Sequence, residues 1–303
     1  MLSFQRLRPE DREKYQALFR EYPEKGCEYA FANLCMWGRQ RVCFRENAVA
    51  FFSQFDRLSI YPFPVGTGDL KPMLDAIIHD AQARGIPCRI TSMTKAECDL
   101  LESLYPGRFR FHTDRDGFDY VYAIEALATL KGKRYQSKRN FVNRFWAAHP
   151  DCKAVALTKE NLDLARDLAE KWYEAHQNFA PLQDFHLERL ALERCFACLD
   201  CFGMEGLLLV ENGQALAMAI GSRLNDTTFD IHFEKALGTV DGAYAAINQA
   251  FAAALWEKYP ALQYLNREDD LGIEGLRKAK LSYHPDHMVE KYWARLWEDD
   301  DEI

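Results

Sequence analysis

Hydrophobic and polar residues follow two different periods along the chain, and their alternation predicts helices interleaved with strands. Asp69 can cap the helix that follows the turn-rich segment 61–69, and Gly85 can end it. The first half is predicted to contain helices over about 9–22, 27–37, 70–84 and 95–105, and strands near 41–44, 48–55, 58–61, 88–92 and 109–124.

The second half repeats this order of elements with clearer turn signals. Asn212 and Gly213 lie between two apolar runs, which strongly indicates a hairpin. We predict helices over about 159–176, 185–202, 243–259 and 273–282, and strands between 206 and 237 and at 262–266 and 288–296. This is the order of a GNAT acyltransferase fold. We therefore predict an α+β chain of two GNAT-like domains, 1–127 and 128–303, each a mixed, mostly antiparallel sheet flanked by helices. A basic helix is predicted to open the second domain.

The composition of the chain also indicates the cellular compartment of the protein. The chain has 303 residues, of which 48% are hydrophobic, and this is enough for the cores of two domains. No apolar run approaches the roughly 18 residues of a membrane span, and the first residues lack the apolar centre of a signal peptide. Nine cysteines without a regular spacing suit a reducing compartment. We therefore expect a cytoplasmic protein without a transmembrane segment.

Positive charge is concentrated in one segment of this acidic chain. Residues 126–150, the basic segment, contain six Lys or Arg and no Asp or Glu, although the net charge is -8. Such a cluster favours a phosphate-bearing partner, and a solvated helix face is the alternative. The apolar stripe around Phe145 would anchor the segment, with Arg139 and Asn143 at its rim. The predicted phosphate-binding residues of this segment are Lys133, Arg134, Lys138, Arg139 and Asn143.

Three cysteines at regular spacing raise the question of a metal site. Cys195, Cys198 and Cys201 fall on the apolar side of the predicted helix, and no neighbouring residue supplies an evident fourth ligand. We interpret them as packed thiols and predict no metal.

The turn before the predicted helix at 243–259 gives a weaker indication of a phosphate-binding site. Gly238 and Gly242 could let backbone N–H groups cradle a pyrophosphate, as in acyl-CoA enzymes, or could simply form a tight turn. Val240 stands where those enzymes have a second small residue, which argues against acetyl-CoA. On the following helix Asn248 lies beside an apolar stripe, and we interpret it as a hydrogen-bonded core amide in preference to a substrate contact.

The densest polar cluster follows the predicted strand at 262–266. Glu268 and Asp269 could supply a general base, while Arg277 and Lys280 could hold carboxylate or phosphate. The alternative is a helix whose end charges complement its dipole. Asp230, His232 and Glu234 alternate on one face of the preceding meander, which is either a functional or a solvent-exposed face. The predicted catalytic residues are Glu234, Glu268, Asp269 and Tyr283.

Three ordered blocks carry a resemblance to a known family. The blocks are CEYAFANLCMW, FDYVYAIEALATLKGKRYQSKRNFVNRF and REDDLGIEGLRKAKLSYHP. They resemble the C-terminal catalytic domain of bacterial lysyl-phosphatidylglycerol synthases, in a soluble branch of unknown function. The resemblance implies tandem GNAT-like domains related to the aminoacyl-tRNA-dependent transferases that build peptidoglycan cross-bridges. It also implies transfer of an aminoacyl or acyl group from an activated donor to an amine or hydroxyl.

The resemblance and the residue patterns together predict one function and leave two alternatives. We expect a cytoplasmic transferase with no tightly bound cofactor and with aminoacyl-tRNA as the favoured co-substrate, so that tRNA is a partner. The acceptor is a small molecule, peptide or lipid of unknown identity. One alternative is an acyl-CoA-dependent N-acyltransferase that acts on a small amine. Another is a nonenzymatic RNA- or ligand-binding protein on a disabled transferase fold.

Overall fold

The computed structural model of the chain describes residues 1–19, 22, 24–55, 58–176 and 182–297. Two compact units account for the chain, and each has its own sheet. Unit 1 comprises Met1–Asp119, Asp269–Ile273 and Met288–Ile303, and unit 2 comprises Tyr120–Glu268 and Glu274–His287. None of the helices in the described part of the chain is long and apolar enough to cross a membrane.

The helices and strands follow the predicted alternation. The helices are α1 Arg12–Phe19, α2 Phe31–Met36, α3 Lys71–Arg84, α4 Lys95–Leu104, α5 Ile124–Thr129, α6 Gln136–Ala148, α7 Leu162–His176, α8 Leu182–Ala197, α9 Leu199–Phe202, α10 Ala243–Lys258 and α11 Glu274–Leu281. The strands are β1 Gln5–Arg6, β2 Gln40–Arg45, β3 Ala48–Phe55, β4 Leu58–Pro62, β5 Val65–Gly66, β6 Arg89–Met93, β7 Phe109–Thr113, β8 Asp119–Ala123, β9 Lys153–Ala156, β10 Met204–Glu211, β11 Gln214–Arg223, β12 Thr228–Ala236, β13 Tyr264–Asn266, β14 His287–Val289 and β15 Tyr292–Leu296.

The sheet of unit 1 has the order β1-β2-β3-β4-β6-β15-β7, with β5 paired to β3. Its pairs are antiparallel except β4 with β6. The apolar face of α3 packs on this sheet, because Met73, Leu74 and Ile77 are buried in the same cluster as Ile90 of β6. Burial of this face is the main stabilisation that the helix receives.

The last strand of the chain belongs to unit 1. β15 pairs antiparallel with β6 and with β7, and so fills the position between them. Without β15, the facing edges of β6 and β7 would have unpaired N–H and C=O groups. The sequence pattern predicts this strand but places it in a second domain over 128–303, whereas its backbone hydrogen bonds join it to the first unit.

The sheet of unit 2 has the order β14-β8-β13-β12-β11-β10-β9. The hairpin predicted at Asn212 and Gly213 is confirmed, since both residues have positive φ (50° and 77°) and join the antiparallel strands β10 and β11. β12 and β13 are parallel, with Asp230 opposite Asn266. Both sheets are therefore mixed and mostly antiparallel, with helices packed against them, which confirms the predicted α+β class.

The basic segment is not a continuous helix. α5 ends at Thr129, and α6 begins only at Gln136. Leu130 and Gly132 have positive φ (48° and 93°), which stops the first helix and redirects the chain. Lys131, Lys133 and Arg134 consequently lie in the connection between the two helices.

Gly242 allows a close approach between α6 and the start of α10. Its φ is 79°, and an added Cβ would lie 2.4 Å from the Phe141 carbonyl oxygen. Gly238 in the same turn is exposed, and an added Cβ there would meet no heavy atom within 4 Å. The two glycines predicted as one cradle therefore differ, because Gly242 is required for packing.

Replacing Gly242 with alanine is expected to lower the free energy of unfolding by about 2 kcal/mol or more. Positive φ costs an L-residue roughly 1–2 kcal/mol, and the contact with Phe141 adds to this. Chemical denaturation measures the effect, and Gly238→Ala is the matched control with an expected change within about 0.5 kcal/mol. Equal losses in the two variants would contradict this role of Gly242.

Only one of the three cysteines at positions 195, 198 and 201 is the packed free thiol that we predicted. Cys195 in α8 is a buried free thiol, as expected. Cys198 and Cys201 instead form a disulfide. The helix breaks at Cys198, whose φ and ψ are -143° and 42°, and the chain restarts as α9. This break brings the two sulfur atoms together, so the packing interpretation is confirmed for Cys195 and wrong for the other two.

Candidate functional site

The site lies in unit 2, where β12 and β13 run side by side. A β-bulge interrupts β12 at His232, because Ile231 lies opposite Gly221 and Phe233 lies opposite Ile220 of β11. Asp230 and Glu234 therefore lie on opposite faces of the sheet, and the prediction that they share one face is wrong. Arg267 and Glu268 follow β13 directly, and the parallel register places Asn266 opposite Asp230. The polar segment that follows β13 contacts Glu234 through Arg267 and His232 through Glu268.

A charge pair joins these two elements. Arg267 Nη2 donates to Glu234 Oε1 at 2.9 Å, and the side chains are only 12% and 14% exposed. Asn248 of α10 donates from Nδ2 to the other oxygen of Glu234 at 3.1 Å. Burial disfavours the charge of Arg267, but the Glu234 carboxylate raises the pKa of the guanidinium above its usual range. Glu234 is therefore held by two donors beside a permanent cation.

Two polar atoms next to Glu234 have no hydrogen-bond partner. Arg267 Nη1, a donor, and Asn248 Oδ1, an acceptor, are both buried and unpaired among the residues that the structure describes. A buried polar atom without a partner costs stability, and in native proteins it calls for an explanation such as a ligand. The carboxylate of Glu234 is thus flanked by one unused donor and one unused acceptor.

An aromatic ring with two cations adjoins the pair. Tyr283 follows α11, and its ring centre lies 4.9 Å from the Arg267 guanidinium and 4.0 Å from Lys138 Nζ. Burial raises the pKa of Tyr283 to about 12. Burial, followed by the positive charge of Arg267, lowers the pKa of Lys138 from its usual value. Lys138 is thus the residue of the basic segment that reaches the charge pair.

A histidine network lies beside this cluster. His232 Nε2 is 2.8 Å from Ser222 Oγ, and Nδ1 is 3.4 Å from both Asp230 Oδ2 and Glu268 Oε1. His232 and Asp230 are almost fully buried, whereas Glu268 is 24% exposed. Ligand atoms of Asp230, His232 and Glu268 lie within 4.8 Å of one another, so this group could hold a metal ion. Glu268 is the member that a substrate can reach.

Lys280 has a structural position in this site. It is 8% exposed, and its Nζ donates to the carbonyl oxygens of Arg267 and Glu268. Glu268 has positive φ (57°), which an L-residue adopts at a cost. Lys280 therefore fixes the turn that presents Arg267 and Glu268, and its predicted role in phosphate binding is replaced here by hydrogen bonds to the backbone.

Two further residues of the predicted polar site are Asp269 and Arg277. Asp269 belongs to unit 1, whereas Glu268 belongs to unit 2. Arg277 is partly exposed on α11. The catalytic role predicted for Asp269 and the binding role predicted for Arg277 stay predictions.

Some polar side chains of the basic segment are anchored by hydrogen bonds, and others are exposed. Arg139 donates to the carbonyl oxygens of Leu130 and Gly132, so it holds the connection between α5 and α6. Lys131, Lys133, Arg134 and Asn143 are exposed.

Arg267 is the central residue that the sequence reasoning left without a role. Its position directly after a strand parallel to β12 is the signal that could have identified it. Asn248 was interpreted as a core amide, and its Nδ2 does have a partner, but its oxygen does not. Ser222 was also missed, since a single serine on a strand carries no distinctive pattern.

Comparison with known proteins supports a shared fold and family. The profile of the family "Phosphatidylglycerol lysyltransferase, C-terminal" matches residues 19–295. A crystal structure of a conserved protein of unknown function from Bacteroides thetaiotaomicron is 36% identical, with a TM-score of 0.91 over 98% of this chain and 100% of that one. The L-PGS structure from Bacillus licheniformis is 16% identical, with a TM-score of 0.66 over 94% and 91% of the two chains.

A curated relative adds one sequence match. It is an uncharacterized protein of Mycoplasmoides gallisepticum that is 25% identical over 208 residues, which cover 68% of this chain. The match spans 64% of the length of that relative. Because the family profile covers nearly the whole sequence, the chain belongs to the family of phosphatidylglycerol lysyltransferase C-terminal domains, and it shares the fold of the L-PGS structure.

Proposed function

We propose that the chain is an aminoacyltransferase that moves an aminoacyl group from aminoacyl-tRNA to an amine or hydroxyl acceptor. Membership of the family supports transfer of an aminoacyl or acyl group in general. The observation that carries the proposed site is the unused donor and acceptor that flank Glu234.

An aminoacyl ester matches these groups. Its carbonyl oxygen gains negative charge in the transition state, and Arg267 Nη1 is a charged donor for that oxygen. Its α-ammonium group carries N–H donors, and Asn248 Oδ1 is an acceptor for one of them. The Glu234 carboxylate, 3.1 Å from the Asn248 amide, balances the ammonium charge. One ester thereby satisfies both of the unpaired atoms.

The transfer step needs a base, and we assign this role to Glu268. The nucleophile attacks the ester carbonyl carbon and gives its proton to the partly exposed Glu268 carboxylate. The ester C–O bond then breaks, and the leaving ribose oxygen takes that proton from Glu268, which returns to its carboxylate form. His232, 3.4 Å from Glu268 Oε1, orients the carboxylate from the buried side.

The basic segment supports a nucleic-acid donor. Lys131, Lys133 and Arg134 are exposed in the connection before α6, and Lys138 continues the positive charge to the charge pair. The turn before α10 gives less support to acyl-CoA, because the Phe141 backbone occupies the space beside Gly242. Aminoacyl-tRNA is therefore the donor that fits both observations.

Reversing two exposed charges is expected to weaken tRNA binding. The double variant Lys133→Glu with Arg134→Glu should raise the Kd for tRNA at least about tenfold and reduce the slope of log K against log salt by about 2. Each substitution removes a cation that can contact a phosphate. Filter binding at several salt concentrations measures both quantities.

The matched control is Lys153→Glu with Lys171→Glu, which reverses two exposed charges elsewhere in unit 2. This control should keep most of the tRNA affinity. Equal weakening by both double variants would show only a net-charge effect and would contradict a specific role of the basic segment. Micromolar binding of acetyl-CoA without tRNA binding would favour the acyl-CoA alternative. Binding of tRNA without turnover of any aminoacyl donor would favour the nonenzymatic one.

A further inference from the structure

A second polar site lies in unit 1, and none of the residues used above lines it. It is a cavity of about 600 Å³ at the β1, β2 and β3 side of the sheet. Four arginines and two aromatic rings contribute to its wall, and we call it the arginine pocket. These residues are Phe4, Arg6, Arg39, Arg41, Phe52 and Arg84.

The strand register explains why these side chains converge. Arg41 is the second residue of β2, and Arg39 lies just before the strand; both line the cavity. Arg6 of β1 is directly opposite Arg41, and Phe52 of β3 is opposite Arg41 on the other side. Two like charges at directly opposed positions repel each other and destabilise the pair. An anion between them would remove this repulsion.

The positive charge of the pocket is only partly neutralised. Arg84 at the end of α3 pairs with the buried Asp80 at 2.6 Å. Asp80 also accepts hydrogen bonds from the Tyr61 hydroxyl and the Leu2 backbone N–H. In the described part of the chain, Arg6 and Arg41 have no carboxylate partner within ion-pair distance, and no Asp or Glu lines the cavity.

Aromatic rings give the pocket a rigid apolar wall. The Arg84 guanidinium lies 5.1 Å from the Phe52 ring centre and 5.7 Å from that of Phe4. These contacts, together with the Asp80 pair, fix Arg84 in one position. A fixed guanidinium loses little entropy when it binds an anion, so it is a better ligand than a mobile lysine.

We propose that the arginine pocket binds a small molecule that carries at least two linked phosphate groups. Guanidinium groups match phosphate oxygens in pairs of hydrogen bonds, and several arginines suit more than one negative charge. The volume is in the range of ligand pockets and leaves room beyond a pyrophosphate. Inorganic pyrophosphate and the diphosphate of a nucleotide share this chemistry, and the experiment distinguishes them. This binding is independent of the proposed transfer reaction.

Calorimetry on the full chain at low salt tests the proposal with pyrophosphate, ADP and inorganic phosphate as probes. We expect saturable binding of pyrophosphate or ADP and weaker binding of inorganic phosphate. Arg6→Gln and Arg41→Gln should each raise the Kd at least about tenfold, since each removes a charged hydrogen-bond donor. Tighter binding of ADP than of pyrophosphate would indicate that the aromatic wall contacts a base.

Three further variants make the outcome decisive. Arg45→Gln changes an exposed arginine on β2 that does not line the pocket, and it should leave the Kd unchanged. Arg6→Lys and Arg41→Lys keep the charge, lose the fork of donors, and should give intermediate affinities even if a glutamine variant misfolds. No saturable binding of pyrophosphate or ADP to the wild type, or equal affinity in wild type and all pocket variants, would overturn the proposal.

Discussion

Replacing Arg267 with glutamine is expected to lower kcat for aminoacyl transfer by a factor of about 10² to 10³. The substitution removes the donor that we propose for the developing oxyanion, and it leaves Glu234 without its ion partner at 2.9 Å. Binding of tRNA should change little, because the exposed cations of the basic segment remain. Steady-state kinetics and filter binding on the same variant separate the two effects.

Two controls accompany this variant. Arg166→Gln changes an exposed arginine of α7 that pairs with Glu193, and it should leave kcat unchanged. Arg267→Lys keeps the positive charge but not the geometry of two donors, so its kcat should be intermediate. A kcat for Arg267→Gln within about threefold of the wild type would contradict the role of Arg267, since an oxyanion donor contributes far more.

The second large effect concerns stability. Lys291 lies in unit 1 between two carboxylates, with Nζ 2.6 Å from Asp119 and 2.8 Å from Glu28. Asp119 is fully buried and also accepts a hydrogen bond from the Cys27 backbone N–H. Burial opposes the charge of Lys291, but Asp119 raises the pKa of the ammonium well above its usual value. Lys291 therefore compensates the two acidic groups of this cluster.

Lys291→Met should lower the free energy of unfolding by about 3–5 kcal/mol, because it leaves two neighbouring carboxylates without their cation. Denaturant titration monitored by circular dichroism measures the loss. Lys71→Met is the matched control, because the Lys71–Asp75 pair is about half exposed and contributes about 0–1 kcal/mol. A loss for Lys291→Met no larger than that of the control would contradict the account of this cluster.

The strand pattern made part of the site predictable from the sequence. The alternation identified Asp230, His232 and Glu234 as candidate residues, but it placed them on one face, which the β-bulge at His232 prevents. The position of Glu268 after a strand also indicated a binding loop. These signals are local, because the period of a strand and the location of a turn depend only on neighbouring residues.

The parts that could not be predicted depend on long-range pairing. The Arg267–Glu234 bond joins residues 33 positions apart, and it requires that β12 and β13 be parallel neighbours. Likewise β15 joins β6 across about 200 residues of sequence, and no local pattern encodes that partner. Lys280 resembles a phosphate ligand in the sequence, but its actual partners are two backbone carbonyls.

The measurement that tests the central claim most directly is a label-transfer assay with a complete set of radiolabelled aminoacyl-tRNAs. The wild-type protein is incubated with each donor and a deproteinised cell extract as the source of acceptor. For at least one aminoacyl-tRNA, the label should move to a product that resists ribonuclease, and Arg267→Gln should slow this movement about 10² to 10³-fold. Label that stays on every tRNA, or that moves equally fast with Arg267→Gln, would contradict aminoacyl transfer at the Glu234–Arg267 site.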